Sequence, residues 1–531
     1  MKRITLLVCL ILALVIVFTC SKKEPSAPPE EGPEWTIIVY CDGNNDLDDF
    51  GGSSCVIADV QEMEKVGSTD KVKIIAMVGS FKTGGQCKYY YVEKHTDELP
   101  DQISSTVLED LGTKDMSDPT TLKNFITYAK TNYEAEHYML IIDDHGGGWY
   151  GCCVDDQNGA GDFMNLPELK SAVADAGVHF DIICFHCCLM SMVEVAHQLK
   201  GYGDYMVASQ FVMPMRSVLG SEEWLGTLTS NPEMSVEELA KDIARAVYNT
   251  GVSQGKIVHM AATDLSKMDA LASKIGSFGQ TLLTEAGAYW DEVYHAWYST
   301  HYTQYDNEAF VDLREYVINI QNEENLKEIP TIVTAAAELK DAINDVVIYT
   351  GTNATGIPRG GLCIHFPYLP ELFDSTDYVK TDFTATNWYK FLSTFIASIT
   401  PGGDSTATVS GTVDWPGHSL SQYTYIFVDT LDQNNNVYTI TWDYVNPSDG
   451  SYMVTVDLTG PLDVLFDAGD DVNNNGIYDS GEGWGFYDPD GDTSWTTADL
   501  ITLSPGDNLS GINITLWTVA KQPPRVLKKL K

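Results

Sequence analysis

Residues 181–192 read DIICFHCCLMSM, an apolar run that ends in a histidine and two adjacent cysteines. Residues 137–151, HYMLIIDDHGGGWYG, follow a similar plan, with an apolar run that leads into two aspartates, a histidine and three glycines. Short apolar runs between amphipathic segments are typical of buried strands in a parallel sheet. In such sheets, reactive side chains collect just beyond the carboxyl ends of the strands. Both stretches therefore indicate a candidate site as well as an architecture.

Most of the chain has the pattern of an α/β protein. The predicted strands alternate with amphipathic helical segments and lie at 35–41, 71–78, 137–143, 180–185 and 205–209. This alternation predicts a largely parallel sheet covered by helices on both faces. Residues 235–350 are mostly helical in pattern, and the apolar stretch GGLCIHFP at 360–367 is expected to rejoin the sheet.

The composition changes near residue 404. Beyond Pro401-Gly402-Gly403-Asp404, short strands recur between turn residues, which predicts an all-β sandwich over 404–518. A chain of 531 residues is too long for one hydrophobic core, and 44% apolar residues suffice for two or three. The sequence therefore predicts an α/β domain over 35–403 that is followed by a β domain.

The charge balance excludes some partners. Lys and Arg number 32 against 75 Asp and Glu, which gives a formal net charge of −43. Such a chain repels nucleic acid and anionic membrane surfaces at long range. It also supplies many oxygen ligands for hard cations such as calcium.

The first residues have the pattern of an export signal. Lys2 and Arg3 precede an uncharged stretch at 4–18, which suits a signal peptide over 1–20 better than a membrane-spanning helix. The following VFTCS at 17–21 resembles a loose lipobox, in which Cys20 would carry the lipid anchor; a plain cleaved signal is the alternative. Residues 21–34, rich in Pro and Glu, predict a tether, and the basic residues 519–531 predict a solvated tail.

Cysteine chemistry is the next question. Of eleven cysteines, nine remain after Cys9 and Cys20 are set aside, an odd number compatible with a working thiol. A nucleophilic thiol needs an acid or base nearby and donors for the oxyanion that forms. His145 and the amide of Gly146 supply both types of group. Separately, a His-Gly pair is commonly a turn and a buried cysteine a core residue, but the two together are more specific.

Six stretches resemble the landmarks of the clostripain family of cysteine peptidases, in order over roughly residues 35–400: VYCDGNNDL, LIIDDHGGGW, FHCCLMSMVEVAHQL, VASQ, FVDL and GGLCIHFP. The resemblance implies a caspase-like αβα sandwich and hydrolysis of protein or peptide substrates. It implies that Cys188 is the nucleophile, that His145 is the catalytic histidine, and that the amides of Gly146 and Cys188 form the oxyanion hole.

The substrate pocket departs from the family pattern. Family members that cleave after basic residues have Asp two residues before the nucleophile, where this chain has His186. The stretch SQFVMPMRSV, from Ser209, offers no acid and carries Arg216, which either favours an acidic substrate side chain or is a surface residue. We therefore expect His186, Ser209 and Arg216 near the pocket and no preference for basic residues. Cys187 is expected to pack, although pairing of either adjacent cysteine with Cys152 or Cys153 stays open.

A second motif lies in the β domain. Residues 471–482, DVNNNGIYDSGE, match the calcium-loop pattern D-x-[DN]-x-[DN]-G-x5-E at every specified position. The predicted ligands are Asp471, Asn473, Asn475, the carbonyl of Ile477, Asp479 through water, and Glu482. The acidic residues at 42–49 predict either a solvated loop, which is favoured, or a second calcium site.

Together these patterns predict an exported, lipid-anchored cysteine endopeptidase with an appended calcium-binding β-sandwich. The alternative is a catalytically inactive surface lipoprotein that binds a protein or a glycan.

Overall fold

The computed structural model describes residues 32–96, 99–214, 218–287, 289–303, 309–368, 372–373, 375–399, 406–431, 437–458, 462–473, 480–488, 500–504 and 507–518. Several predictions lie outside these residues: the signal peptide with Cys20, most of the tether, Arg216, the calcium-loop positions Asn475, Ile477 and Asp479, and the basic tail.

One large sheet organises the first domain. The strands described between residues 32 and 399 are β1 (Trp35–Cys41), β2 (Val72–Ser80), β3 (Gln86–Tyr91), β4 (Thr106–Thr113), β5 (His137–Asp143), β6 (Cys152–Val154), β7 (Phe163–Met164), β8 (Phe180–His186), β9 (Gly203–Ala208), β10 (His259–Asp264), β11 (Phe310–Asp312), β12 (Val347–Thr352) and β13 (Cys363–His365). Nine of them form a sheet in the order β12-β10-β9-β8-β5-β1-β2-β3-β4. The strands from β9 to β2 are parallel, and antiparallel strands extend both edges. The prediction of a largely parallel sheet is confirmed.

Helices cover both faces of this sheet. They are α1 (Cys55–Glu64), α2 (Pro119–Asn132), α3 (Leu166–Ala176), α4 (Val193–Leu199), α5 (Ser221–Ser230), α6 (Val236–Ser253), α7 (Met268–Glu285), α8 (Trp290–Tyr298), α9 (Leu313–Asn322), α10 (Pro330–Val346), α11 (Ser375–Tyr378) and α12 (Asn387–Ile399). Within the described residues, no helix is long and apolar enough to span a membrane.

The side chains of β1 show how the layers form. Ile37 and Val39 belong to the core that contains apolar residues of α1, α5 and α6. Ile38 and Tyr40 belong to the opposite core, which contains those of α2, α3 and α7. Because successive strand residues point to opposite faces, a continuous apolar run fills both cores, and the domain is an αβα sandwich.

Two short ribbons lie outside the central sheet. Strand β6 pairs with β7, and β13 pairs with β11, antiparallel in both cases. The expectation that residues 360–367 rejoin the central sheet is therefore wrong. The edge of β9 is already occupied by β10, which in turn pairs with β12. A parallel bridge from Met192 to Cys363 places β13 beside the segment that follows β8.

The C-terminal region contains two further sheets. Its strands are β14 (Thr406–Asp414), β15 (Thr424–Leu431), β16 (Val437–Tyr444), β17 (Ser451–Asp457), β18 (Leu462–Asp470), β19 (Gly483–Phe486), β20 (Ile501–Leu503), β21 (Asn508–Ser510), β22 (Ile514–Thr515) and β23 (Trp517–Thr518). One sheet is built on β14 and the other on β15 and β18. Val409 and Val454 of the first share a core with Ile426 and Phe466 of the second, so the two sheets form the predicted sandwich.

Candidate active site

The candidate site lies at the carboxyl ends of β5 and β8. These strands are parallel neighbours, and Asp143 is paired with His186 at their last residues. His145 and Cys188 each follow their paired residue by two positions. Adjacent strands are about 4.8 Å apart. The predicted catalytic histidine and the predicted nucleophile therefore follow the ends of neighbouring strands at the same distance along the chain.

Gly146 lies directly against the chain at Cys188. A β-carbon on Gly146 would overlap the carbonyl oxygen of Cys188 and lie 3.1 Å from its nitrogen and 2.8 Å from the β-carbon of Cys187. Only a residue without a side chain allows this approach. On either side of Gly146, the Gly147 amide donates to the Gly151 carbonyl (2.9 Å) and the Cys153 amide donates to the His145 carbonyl (3.2 Å). The Gly146 amide takes no part in these bonds.

His145 has a carboxylate partner. Its Nε2 lies 2.7 Å from Oδ1 of Asp46, whose side chain is 70% exposed. Asp46 follows β1, and β1 is the sheet neighbour of β5, so the loops beyond these strands meet at one rim. The sequence shows Asp46 only as one member of an acidic stretch. The strand order is what identifies it as the partner of His145.

The thiol of Cys188 is partly buried. Burial raises its pKa, the amide of Met213 and the charge of His186 lower it, and Asp144 raises it further, so the balance is upward. The Met213 amide donates to Sγ at 3.3 Å. The next residue, Leu189, has a φ of +66°, a left-handed conformation that turns the chain sharply after the thiol.

The other cysteines do not form disulfides with Cys188. None of the nine cysteines of the described residues, Cys188 included, forms a disulfide, so neither Cys152 nor Cys153 is paired with Cys187 or Cys188. Cys187 is buried, and its Sγ donates to the Ile142 carbonyl at 3.4 Å. Its expected packing role is confirmed.

The acidic loop after β1 is mostly a buried scaffold. Asp42, Asn44, Asn45 and Asp48 are buried, whereas Asp46 and Asp49 are exposed. The favoured prediction of a solvated loop is therefore wrong for these four residues. Each has side-chain atoms that bond within the protein, although one buried side-chain oxygen each of Asp42, Asn44 and Asp48 has no hydrogen-bond partner among the described residues. Asn45 Nδ2 donates to Asp144 Oδ1 and to the Val154 carbonyl, both at 2.7 Å.

Further bonds tie this scaffold to the loop that carries His145. Asn44 Nδ2 donates to Asp155 Oδ2 at 2.7 Å, and the Val154 amide donates to Asp144 Oδ2 at 2.6 Å. Burial raises the pKa of Asp144 to about 7. Burial also raises the pKa of Asp42 well above its usual range, and the nearby charge of Asp144 adds to that effect.

The predicted pocket residues that the structure describes are buried. His186 forms ion pairs with two carboxylates, and its side chain is 5% exposed. Ser209 is buried, and its Oγ accepts a bond from the Phe211 amide at 3.0 Å. Contact of either residue with substrate stays a prediction, and Arg216 lies outside the described residues.

The described part of the calcium loop brings three predicted ligands into one region. Asp471 and Glu482 are buried, and the amide of Asn473 donates to Glu482 Oε1 at 3.2 Å. Carboxylates at the first and last positions of the loop are therefore held out of water. Buried oxygens of this kind fit a calcium ion.

Fold comparisons agree with this architecture. The chain is similar to a secreted C11 cysteine protease from Bacteroides thetaiotaomicron, solved in complex with an irreversible peptide inhibitor, at 21% identity and a TM-score of 0.50 over 68% of this chain and 98% of that one. It is also similar to an inactive zymogen C11 protease from Parabacteroides distasonis, at 18% identity and a TM-score of 0.50 over 69% and 99% of the two chains. The chain therefore shares its αβα fold with these two C11 proteases.

The family assignment is more specific. A family model described as the clostripain family matches residues 39–395, and the chain belongs to that family. Clostripain from Hathewaya histolytica is 32% identical over 216 residues, which cover 34% of this chain and 39% of that protein. The chain therefore matches less than half the length of this curated relative.

Proposed function

We propose that the chain is an exported cysteine endopeptidase that uses Cys188 and His145. The observation that carries the proposal is the pairing of Asp143 with His186, which puts both residues two positions beyond neighbouring strand ends. Membership of the clostripain family supports the same chemistry.

The reaction proceeds through a thioester. The Cys188 thiol passes its proton to His145, directly or through one water, and the sulfur attacks the carbonyl carbon of the scissile bond. The resulting oxyanion accepts hydrogen bonds from the amides of Gly146 and Cys188. His145 then gives the proton to the leaving amine, and the carbon–nitrogen bond breaks. Water hydrolyses the thioester, and its proton returns through His145 to the Cys188 sulfur.

Asp46 completes the arrangement. In the bond to Asp46, Nε2 of His145 is the donor, so Nδ1 is the atom available for proton transfer. The carboxylate also stabilises the imidazolium that forms when the histidine holds the proton. Because Asp46 is largely exposed, the energy of this pair in the resting state is small.

The remaining proposals concern location and modules. Residues 1–20 act as a lipoprotein signal with Cys20 as the anchor, residues 21–34 are a tether, the peptidase domain spans 35–403, and a β-sandwich over 404–518 binds calcium. Protein or peptide chains are the substrates, with no preference for basic residues, since His186 replaces the expected acid. The secreted character of one similar protease supports an extracellular or envelope location.

One experiment separates catalysis from binding. The full chain is treated with iodoacetamide under reducing conditions, the modified cysteine is mapped by mass spectrometry, and cleavage of an unstructured protein is measured. We expect alkylation at Cys188, and loss of cleavage in Cys188→Ala and His145→Ala.

Matched controls are available in the same domain. Cys184→Ala removes a buried thiol from the same strand, and His179→Ala removes a histidine that also pairs through Nε2 with an aspartate, Asp204, at 2.9 Å. Both should keep cleavage. An unreactive Cys188 together with intact substrate would reject the peptidase in favour of an inactive binding lipoprotein.

A further inference from the structure

A buried cluster of one histidine and two aspartates includes His186, which lies two residues before Cys188. His186 Nδ1 is 2.9 Å from Asp143 Oδ1 and 3.4 Å from Asp59 Oδ2. The residues come from β8, β5 and α1, and the two carboxylates are 5% and 2% exposed. The cluster is thus assembled from three elements and is shielded from solvent.

The cluster keeps His186 positively charged. Burial alone lowers the pKa of the ring, but Asp59 and Asp143 outweigh it and hold the pKa of His186 well above its usual range. Two carboxylates around one imidazolium leave a net negative charge, which favours the proton further. Its Nε2 has no hydrogen-bond partner within the described part of the chain, so the second ring N–H is not committed elsewhere.

Several other groups face this cluster. Glu62, on α1 with Asp59, interacts with both Asp59 and His186, and its pKa is raised by burial to about 7. Cys41, on β1, bonds to Asp143. Glu62 therefore adds negative charge from α1, Lys65 acts on Glu62 as a nearby cation, and Cys41 contributes a neutral thiol from β1.

The nearby thiols respond differently to their surroundings. Burial raises the pKa of Cys184 to about 12, with Asp143 adding to the effect, and raises that of Cys187 well above its usual range. Cys188 differs from these two thiols in its surroundings. Burial raises its pKa, the Met213 amide and the cationic His186 lower it, and Asp144 raises it.

We propose that His186 is a positioning residue that favours the thiolate of Cys188 electrostatically, with Asp59 and Asp143 holding its ring charged and in place. The residue acts through Cys188 and needs no contact with substrate. The inference rests on the proposed function only in taking Cys188 as the nucleophile.

The test is the pH dependence of Cys188 alkylation in the full chain. The rate of iodoacetamide modification of the Cys188 peptide is followed by mass spectrometry across pH in wild type and His186→Gln. Loss of a nearby opposite charge should move the midpoint up by about one pH unit or more. His137→Gln is the matched control, because His137 pairs with Asp181 (2.7 Å) between the same two strands at their amino ends. It should leave the midpoint unchanged.

A second variant guards against misfolding. His186→Gln leaves two buried carboxylates without a counter-charge, whereas His186→Gln/Asp143→Asn removes one positive and one negative charge and keeps the net charge of the cluster. The upward shift should persist, because His186 and not Asp143 is the cluster member whose charge acts on the Cys188 thiol, and circular dichroism should confirm the fold. A midpoint equal to that of wild type in the folded variant overturns the inference. Shifted midpoints without any peptide cleavage by the wild type would support the inference and reject the proposed function.

Discussion

Glu194, on α4, illustrates how burial controls single carboxyl groups in this domain. Its Oε1 accepts bonds from the His365 amide at 2.9 Å and the Tyr378 hydroxyl at 2.8 Å, while Oε2 has no partner within the described residues. Burial raises the pKa of Glu194 to about 7 even though both bonds lower it. In the folded protein, Glu194 is therefore mainly protonated below about pH 7.

This preference makes stability depend on pH. Because the folded-state pKa is above the unfolded value, the contribution of Glu194 is complete at acidic pH and is lost as pH rises from about 4.5 through about 7. The loss is about 3 kcal/mol, since one pKa unit corresponds to about 1.4 kcal/mol. Glu194→Gln keeps an acceptor for both bonds and cannot ionise. Relative to wild type, its free energy of unfolding should improve by about that amount between pH 4 and pH 8, measured by urea denaturation.

Other buried carboxyl groups titrate in the same range, so the difference between variant and wild type is the informative quantity. Glu338→Gln serves as the control, because Glu338 is exposed and pairs with Lys274 on the surface. Its difference from wild type should stay nearly constant with pH. A Glu194→Gln curve parallel to wild type would show that folding does not change the pKa of Glu194.

At the scale of elements, the site depends on the close approach of two turns. The turn after β5 carries Gly146, and the turn after β8 carries Cys188, with no room between them for a β-carbon. Gly146→Ala must therefore displace the Cys188 backbone. A displacement of about 1 Å at a reacting group can cost about 100-fold in rate. We expect at least that loss in kcat/KM for peptide cleavage, with the fold retained.

Gly201→Ala is the matched substitution. Gly201 follows α4, and a β-carbon there meets nothing within 4 Å. This variant should cleave peptides like wild type, and both variants should melt within a few degrees of it. Full activity in Gly146→Ala would mean that the two turns separate without cost to catalysis, and that the close approach at Gly146 is not needed.

The elements that the sequence predicts best are those with uniform apolar runs. The strands at 35–41 and 137–143 have the predicted bounds because every apolar residue is needed in one of two cores. Strands β10 and β12 escaped prediction within a region of helical pattern, since HMAATD and VIYTGT are short antiparallel strands without a long apolar run. Residues 360–367 were assigned to the wrong sheet because periodicity gives a strand but not its partner.

At the scale of the molecule, the candidate site divides into local and long-range parts. The two strand ends near His145 and Cys188 were predicted from the apolar runs before them, whereas the roles of His145, Gly146 and Cys188 came from the resemblance to the clostripain family. Asp46 and Asp59 were not predicted as partners, since their pairing depends on which strands and helices are neighbours. Burial of the loop after β1 was missed for the same reason: hydrogen bonds to a distant loop stabilise its polar residues.

The C-terminal region has a hydrophobic core of its own, and calcium is expected to stabilise it separately. Asp471 and Glu482 are buried carboxylates of one loop, and a bound cation would offset the cost of keeping their charges out of water. With calcium at about 100 times its Kd, binding adds about 2.7 kcal/mol, which corresponds to roughly 10 °C in Tm for a domain of about 100 residues. In scanning calorimetry of the full chain, the Tm of one of the unfolding transitions should fall by this amount in EGTA.

Asp471→Ala should melt at the lower temperature with or without EGTA, whereas Asp457→Ala, on the exposed side of β17, should respond like wild type. An EGTA-insensitive wild type would show that the loop holds no calcium, and that hydrogen bonds such as Asn473 N to Glu482 suffice to order it.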